Sequence, residues 1–299
     1  NSALKGAERG EAMKVPFSVD LTGKTAIVTG GSGVLCSAMA YGLAVNGAKV
    51  AIIGRNKEKL AKMSETLTEN AKNEYSKEAT VKGYSCNVLD KEELVKTYEQ
   101  IKAALGSCDI LINGAGETSG SHCLCKNVKE GKTGGRLFFL GSEGREYQKC
   151  NGSELHGNLT AYPGIYQRYG GKRKGSIINI ASVSSILPLS KVMAYSNAKS
   201  AVQSLTQWLA IHFGQSGIRC NAIVPGFYAA EQNHDLLFNK DGSYTDRAGD
   251  IIAGTPMGRF GNPEELIGAA LFLASDDAAG FVNGIVLPVD GGYSAFSGV

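Results

Sequence analysis

Short apolar runs alternate with helix-length segments along most of this chain, and this alternation limits its fold more than any other feature. The runs are continuously apolar, which is typical of strands in a parallel sheet with both faces covered. Seven strands are predicted, over Lys24–Thr29, Lys49–Ile53, Thr80–Val88, Asp109–Asn113, Ser176–Ala181, Arg219–Val224 and Ile285–Val289. Helices are predicted over Val34–Asn46, Lys57–Lys72, Asp90–Leu105, Ala194–Phe213 and Pro263–Ala274. The pattern predicts an α/β fold, a Rossmann-type doubly wound parallel seven-stranded sheet in a single domain, with ligands at the carboxyl ends of the strands.

Composition excludes several classes of protein. No run approaches the roughly 18 apolar residues of a membrane span. A net charge of +3 over 299 residues is too small to indicate nucleic acid or an anionic membrane as a partner. Seven cysteines, an odd and scattered set, favour a reducing cytoplasm over secretion. Residues 1–12 are polar and are expected to be a tag or a mobile tail, with residues 13–299 forming the domain.

A glycine-rich turn follows the first predicted strand. Its sequence is Thr29-Gly30-Gly31-Ser32-Gly33, directly before a predicted helix. Glycines there let backbone N–H groups approach a pyrophosphate at the helix N-terminus, where the helix dipole favours negative charge. A tight turn without a ligand explains the same residues equally well.

Two further strand ends carry polar or glycine residues. Asn113-Gly114-Ala115-Gly116 ends the fourth strand, and Asn87-Val88 ends the third. The amide of Asn87 could hydrogen-bond an adenine edge, or it could serve only its own turn. The glycines after Asn113 could border a ligand or form an ordinary turn.

Ser182, Tyr195 and Lys199 form the sharpest candidate for chemistry. Tyr195 and Lys199 are four residues apart and share a face of the predicted helix. An ammonium beside a phenol stabilises the phenolate and lowers the phenol's pKa from about 10. Such a tyrosine can exchange a proton with a substrate oxygen near neutral pH, and Ser182 at a strand end could hold that oxygen. The alternative is a surface Tyr–Lys pair.

Taken together and in this order, these motifs resemble the short-chain dehydrogenase/reductase family. They are TGGSG, NGAG, Ser182, YSNAK at 195–199 and Pro225-Gly226, and the resemblance covers Val19–Val299 apart from 117–175. It implies a Rossmann fold and hydride transfer between a nicotinamide and an alcohol or ketone. It also implies that Tyr195 is the acid/base, that Lys199 binds the nicotinamide ribose and tunes Tyr195, and that Ser182 holds the substrate oxygen.

The cofactor-binding residues follow from the same resemblance. They are Gly30, Ser32, Gly33, Val34, Leu35, Arg55, Asn87, Val88, Asn113, Gly114, Ala115, Gly116, Tyr195, Lys199, Pro225 and Gly226. The cofactor is NAD(P)(H). Gly54 stands where an acid would bind a ribose 2′-OH, and the guanidinium of Arg55 follows it, which favours NADP. Arg55 could instead stack on adenine or point to solvent.

Residues 221–266 and 284–299 resemble the D-mannonate oxidoreductase (fructuronate reductase) branch of the family, as does TGGSGVLC. Val34 and Cys36 there replace the last two glycines of the usual TG-x3-G-x-G pattern. The expected reaction interconverts a sugar-acid ketone and its alcohol, with D-fructuronate and D-mannonate as the pair. Alternatives are a 3-oxoacyl or general carbonyl reductase, or a nucleotide-binding protein with impaired catalysis. The family usually forms homodimers or homotetramers.

Other candidates are weaker. Gln232 and Asn233 follow the sixth strand, where the family places substrate contacts, although a plain loop is equally consistent. No metal site is expected, because His122, Cys123 and Cys125 have no second ligand pair at zinc spacing. His212 is expected to pack against Trp208. Arg259 is expected to form an ion pair with Glu264 or Glu265.

Residues 117–175 depart from the pattern. They hold ten Lys/Arg, five Glu and 12 Gly, and their few aliphatic residues lack helical spacing. The family has a long helix there, with an Asn that completes a proton relay. The segment predicts irregular structure and weak activity. A reading-frame slip is the alternative, since codons compatible with residues 138–171, read one base later, can encode a string resembling that helix.

Overall fold

Seven parallel strands form one sheet, as the alternation predicts. The structure is a computed structural model that describes residues 19–74, 78–116, 174–189, 192–230 and 233–298. The strands are β1 (Thr25–Thr29), β2 (Lys49–Gly54), β3 (Thr80–Ser85), β4 (Ile110–Asn113), β5 (Gly175–Ile180), β6 (Ile218–Pro225) and β7 (Val286–Val289). Their order is β3-β2-β1-β4-β5-β6-β7, with every neighbouring pair parallel. The predicted single-domain, doubly wound α/β fold is confirmed.

Helices pack on both faces of this sheet. Those described are α1 (Val34–Val45), α2 (Lys57–Glu74), α3 (Lys91–Leu105), α4 (Met193–Phe213), α5 (His234–Leu237), α6 (Asp246–Ala253), α7 (Glu265–Ala274) and α8 (Asp276–Ala279). Alternate residues of β1 point to opposite cores. Ala26 and Val28 join the core under α1, α2 and α7, whereas Ile27 joins the core under α3 and α4.

Local signals set the helix ends where the sequence predicts them. Asp90 caps α3, because its carboxylate accepts hydrogen bonds from the N–H groups of Glu92 and Glu93, each at 3.0 Å. Glu93, three residues after this cap, accepts the N–H of Asn87 at 3.1 Å. The side chain of Glu93 thus fixes the turn that leaves β3.

Some predicted bounds shift, and three helices, α5, α6 and α8, were not predicted from the sequence. The third strand ends at Ser85 rather than Val88, and the helix predicted from Pro263 begins at Glu265. The loop after β6 contains α5 and α6, which the sequence did not predict. Thr245 caps α6 by accepting the N–H of Ala248 at 3.3 Å. The expected tail 1–12 lies outside the described ranges. So do residues 117–173 of the segment 117–175 that is expected to be irregular, and Gly175 of that segment begins β5.

Candidate active site

The turns after β1 and β4 meet at the centre of the sheet. In the strand order these two neighbours mark the point where successive connections run in opposite directions, which is where open α/β sheets bind ligands. Gly30 has φ +69°, and a Cβ on it would lie 2.6 Å from the carbonyl oxygen of Gly114. Only a residue without a side chain fits this backbone approach.

Thr29 links the two turns. Its Oγ1 accepts the N–H groups of Gly114 and Ala115, each at 3.1 Å. Although Thr29 belongs to the quoted motif, its role was missed by sequence reasoning. Its position as the last residue of an apolar strand, before a glycine turn, was the available signal.

The N-terminus of α1 faces this junction. Gly33 precedes α1 and has no side chain to cap it, while its own N–H donates to the carbonyl of Gly30 at 2.8 Å. The first turn of α1 contains no acidic residue. First-turn N–H groups, here including Val34 and Leu35, lack partners within a helix, and with the helix dipole they suit a pyrophosphate. The backbone here fits a dinucleotide.

Ser32 lies beside the end of β2. A Cβ on Gly54 would be 3.3 Å from the Oγ of Ser32, so the two turns adjoin. Arg55 is exposed, and its carbonyl accepts the hydroxyl of Ser85 at 3.2 Å. The structure therefore keeps Arg55 at the edge where the predicted 2′-phosphate contact would be made.

Asn87 holds its own turn. Its Oδ1 accepts the N–H of Leu89 at 3.1 Å. Val88 is half-buried and packs on the core under α3 and α4. This hydrogen bond agrees with the view that Asn87 serves its own turn, which was the alternative to a contact with adenine.

Lys199 ties α4 to the end of β5. The lysine is 6% exposed, and its Nζ donates to the carbonyl oxygen of Ile180 at 3.0 Å. The same Nζ lies 5.7 Å from the centroid of the Tyr195 ring. Ile180 is two residues before Ser182, which is buried and whose Oγ accepts the N–H of Ser184 at 3.2 Å. The structure thus gathers the predicted triad around one strand end.

The electrostatics of this corner suit proton exchange at a phenol. A cation near an aromatic face is attracted to the ring, and a nearby ammonium stabilises a phenolate. Burial removes water that would screen both effects. The ammonium of Lys199 donates a hydrogen bond to the carbonyl oxygen of Ile180, and this bond fixes the position of the positive charge.

Asn113, at the end of β4, begins a chain of hydrogen bonds that reaches α4. Its Nδ2 donates to Oδ1 of Asn179 on β5 at 2.9 Å, and Nδ2 of Asn179 donates to Oγ1 of Thr206 on α4 at 2.9 Å. Sequence reasoning placed Asn113 at the site but missed Asn179 and Thr206. An asparagine inside the apolar run SIINIA was the signal for Asn179.

The end of β6 closes the site against the C-terminal segment. The N–H of Gly226, which follows Pro225, donates to the carbonyl of Val289 at 3.0 Å. A Cβ on Gly226 would lie 2.7 Å from Cα of Asp290. Pro225 and Gly226 therefore lie at the same sheet edge as the other predicted site residues.

Asn233 is engaged within its own loop. Its Oδ1 accepts the N–H of Ala230 at 2.8 Å, and its Nδ2 donates to the carbonyl of Tyr228 at 2.9 Å. The geometry matches the plain-loop alternative. Gln232 lies outside the described residues.

Tyr228 anchors this loop and was also missed. Its hydroxyl donates to the carbonyl of Val289 at 2.9 Å, and burial raises the pKa of Tyr228 to about 12. A Cβ on Gly261 would meet the ring, so the chain passes close on that side.

Two weaker predictions are confirmed. Arg259 pairs with Glu265 through two contacts of 2.8 and 2.6 Å, which lower the pKa of Glu265 to about 2. His212 stacks on Trp208 with ring centroids 4.7 Å apart, a packing role.

His122, Cys123 and Cys125 lie outside the described ranges, within which no cluster of metal-ligating side chains occurs. Among the helices that are described, none combines the length and apolarity needed to span a membrane.

Known proteins resemble this chain over nearly all of its length. UxuB of Bacillus subtilis (strain 168), an uncharacterised oxidoreductase, is 42% identical over 285 residues, which are 95% of this chain and all of UxuB. A solved Haemophilus influenza structure with bound NAD, provisionally described as a D-mannonate oxidoreductase, is 38% identical with a TM-score of 0.83. The match covers 96% of this chain and 100% of that one.

A second solved structure carries the other nicotinamide nucleotide. It is a gluconate 5-dehydrogenase from Burkholderia cenocepacia J2315 in complex with NADP and tartrate, 28% identical with a TM-score of 0.76. The match covers 94% of this chain and 98% of that one.

The family model for short chain dehydrogenases matches residues 24–240, which include both glycine turns, Ser182, Tyr195 and Lys199. The chain is therefore an NAD(P)-dependent oxidoreductase that acts on CH–OH groups. It belongs to the short-chain dehydrogenase family.

Proposed function

We propose that this oxidoreductase interconverts D-fructuronate and D-mannonate, with Tyr195 as the acid/base. The observation that carries the catalytic part is the position of Lys199, held by the carbonyl of Ile180 with its Nζ 5.7 Å from the Tyr195 ring. The substrate part is supported by relatives described as acting on mannonate and gluconate, both sugar acids.

The residues divide the work as follows. When bound, the nicotinamide supplies or accepts a hydride. In the reducing direction the hydroxyl of Tyr195 gives its proton to the substrate carbonyl oxygen, which becomes the alcohol oxygen. Ser182 donates a hydrogen bond to that oxygen. The charge of Lys199 stabilises the phenolate left on Tyr195 until a proton returns to it.

The nucleotide lies along the carboxyl ends of β1, β2, β4 and β6 in this proposal. The first-turn N–H groups of Val34 and Leu35, next to the turn Gly30–Gly33, would bind the pyrophosphate. Arg55 binds the 2′-phosphate of NADP, because Gly54 supplies no carboxylate to repel it. Solved relatives contain NAD in one case and NADP in another, so the ratio of kcat/KM for the two nucleotides decides the preference.

Turnover of chosen substrates tests the proposal. We expect oxidation of NADPH by D-fructuronate and reduction of NADP by D-mannonate, with kcat/KM far above that for acetoacetyl thioesters. The reverse ranking would identify a 3-oxoacyl or general carbonyl reductase. Nucleotide binding without turnover of either substrate would identify a protein with impaired catalysis.

We further propose that the enzyme is a cytoplasmic homodimer or homotetramer. Two apolar side chains on α4 support assembly, since Trp208 is 57% and Ile211 83% exposed. Light scattering of the purified protein should give a mass two or four times 31.4 kDa. A mass of one chain at micromolar concentration would contradict this assembly.

A further inference from the structure

Cys36 and Gly114 lie against each other where the site's two glycine turns meet. Cys36 is in the first turn of α1 and is only 5% exposed. A Cβ on Gly114 would collide with the Sγ of Cys36. The thiol therefore occupies the volume that a side chain at position 114 would need.

The backbone at Gly114 cannot yield without moving the turns. The N–H of Gly114 donates to Thr29, and its carbonyl oxygen would be 2.6 Å from a Cβ on Gly30, so the backbone at 114 is fixed from the side of β1. Cys36 has a single side-chain torsion, and a helix disfavours one of its three staggered positions. Crowding at this contact would therefore be relieved by rotation of the Cys36 thiol to its other favoured position or by a shift of the first turn of α1.

This contact also explains an irregularity in the sequence. A glycine in the first helical turn of a dinucleotide fold normally allows close packing of helix and strand. This chain has Cys36 there, and it has Gly114 on the facing strand end. In this chain the small residue at the contact is therefore Gly114, at the end of the fourth strand, and not a residue of the helix.

We infer that Cys36 is a positioning residue for the nucleotide, and that its function requires glycine at position 114. The thiol sets how far the N-terminus of α1 lies from the turn after β4, and so where the first-turn N–H groups meet the pyrophosphate. The inference rests on the proposed function, which puts the pyrophosphate at this helix end.

A double-mutant cycle tests the inference on the full chain. Gly114→Ala, Cys36→Gly and the double variant are compared with the parent for the Kd of NADH and NADPH by calorimetry and for Tm. Gly114→Ala should weaken nucleotide binding about tenfold or more and lower Tm by about 3 °C or more, the usual scale of overpacking. The double variant should bind within about threefold of the parent, because the added methyl group then has space. Cys36→Ser keeps the size of the side chain and should bind as the parent does.

The outcomes separate this inference from the site assignment. Additive effects in the cycle, or normal binding by Gly114→Ala, would overturn the inference. If Gly114→Ala is insoluble, a soluble and binding-competent double variant supports the inference, and an insoluble one overturns it. Gly30→Ala reports on the site itself. Loss of binding there, with an uncoupled cycle, contradicts only the role of Cys36, whereas normal binding by Gly30→Ala contradicts the proposed nucleotide site.

Discussion

The hydrogen bond from Lys199 to the carbonyl of Ile180 makes the catalytic corner depend on backbone geometry. The charge stays beside Tyr195 because β5 ends at Ile180 and α4 passes over that end. The proton-transfer role proposed for Tyr195 can therefore be tested without disturbing the hydrogen bond that anchors Lys199.

Tyr195→Phe removes the hydroxyl and leaves the ring in place. We expect turnover to fall by about 10²-fold or more while nucleotide affinity is retained, because general acid catalysis is lost and the binding turns are untouched. Steady-state kinetics and calorimetry measure the two effects. Tyr98→Phe, in the core under α3, is the matched control and should keep its turnover. Near-normal activity of Tyr195→Phe would remove Tyr195 from the mechanism.

Gly54→Asp combined with Arg55→Ala tests the cofactor preference. A carboxylate at 54 would repel a 2′-phosphate and accept a ribose 2′-OH, so preference should shift towards NADH. The ratio of kcat/KM for NADPH and NADH gives the answer, and Arg55→Lys serves as a charge-preserving control. An unchanged ratio would mean that Arg55 makes no contact with the 2′-phosphate.

Tyr228 predicts a pH dependence of stability. Burial raises the pKa of Tyr228 to about 12 from an ordinary value of 10, so the unfolded chain loses this proton first as pH rises. Its contribution is complete below pH 10 and is lost between about pH 10 and 12. We expect the free energy of unfolding to fall by about 1 kcal/mol more between pH 8 and 11 in the parent than in Tyr228→Phe.

Urea denaturation at both pH values checks this difference. Tyr244→Phe is the control, because it removes a tyrosine hydroxyl from an exposed position. If the free energy of unfolding falls equally between pH 8 and 11 in the parent and in Tyr228→Phe, the raised pKa of Tyr228 is contradicted.

At the scale of elements, α3 offers the clearest stability test. Asp90→Ala removes the acceptor of two backbone N–H groups and should cost about 1 kcal/mol of unfolding free energy. Asp90→Asn keeps an acceptor oxygen and should lose much less. Chemical denaturation of the three proteins compares them, and an Asp90→Ala variant as stable as the parent would show that α3 does not need its cap.

The sequence predicts the seven strands well because each is a short apolar run that glycine or polar residues terminate. It does not predict α5 and α6, since their stability comes from distant partners. Leu237, Ala248 and Ile251 pack with Phe260 rather than forming a long periodic stripe of their own. Motif order is enough to propose Ser182, Tyr195 and Lys199 as site residues. The contact of Cys36 with Gly114, by contrast, depends on how closely two turns approach, which no local pattern encodes.

For the whole molecule, residues 117–175 carry a prediction about the chain itself. If the sequence is translated as written, tryptic digestion must release the peptide Glu146-Tyr147-Gln148-Lys149, which lies between Arg145 and Cys150. A frame slip would replace it with other masses. Peptide mass mapping therefore decides between the two, and finding this peptide would exclude the slip.

The pairing of β1 with β4 has a consequence for folding kinetics. Thr29 and Gly114 are separated by 85 positions, so the hydrogen bond between them closes a long loop. Contacts of such separation form slowly compared with local ones. The glycine turn after β1 therefore contacts the turn after β4 only once β4 has joined the sheet. During refolding, we expect the return of nucleotide binding to lag behind the return of helical circular dichroism, and simultaneous recovery would show that the turn matures without β4.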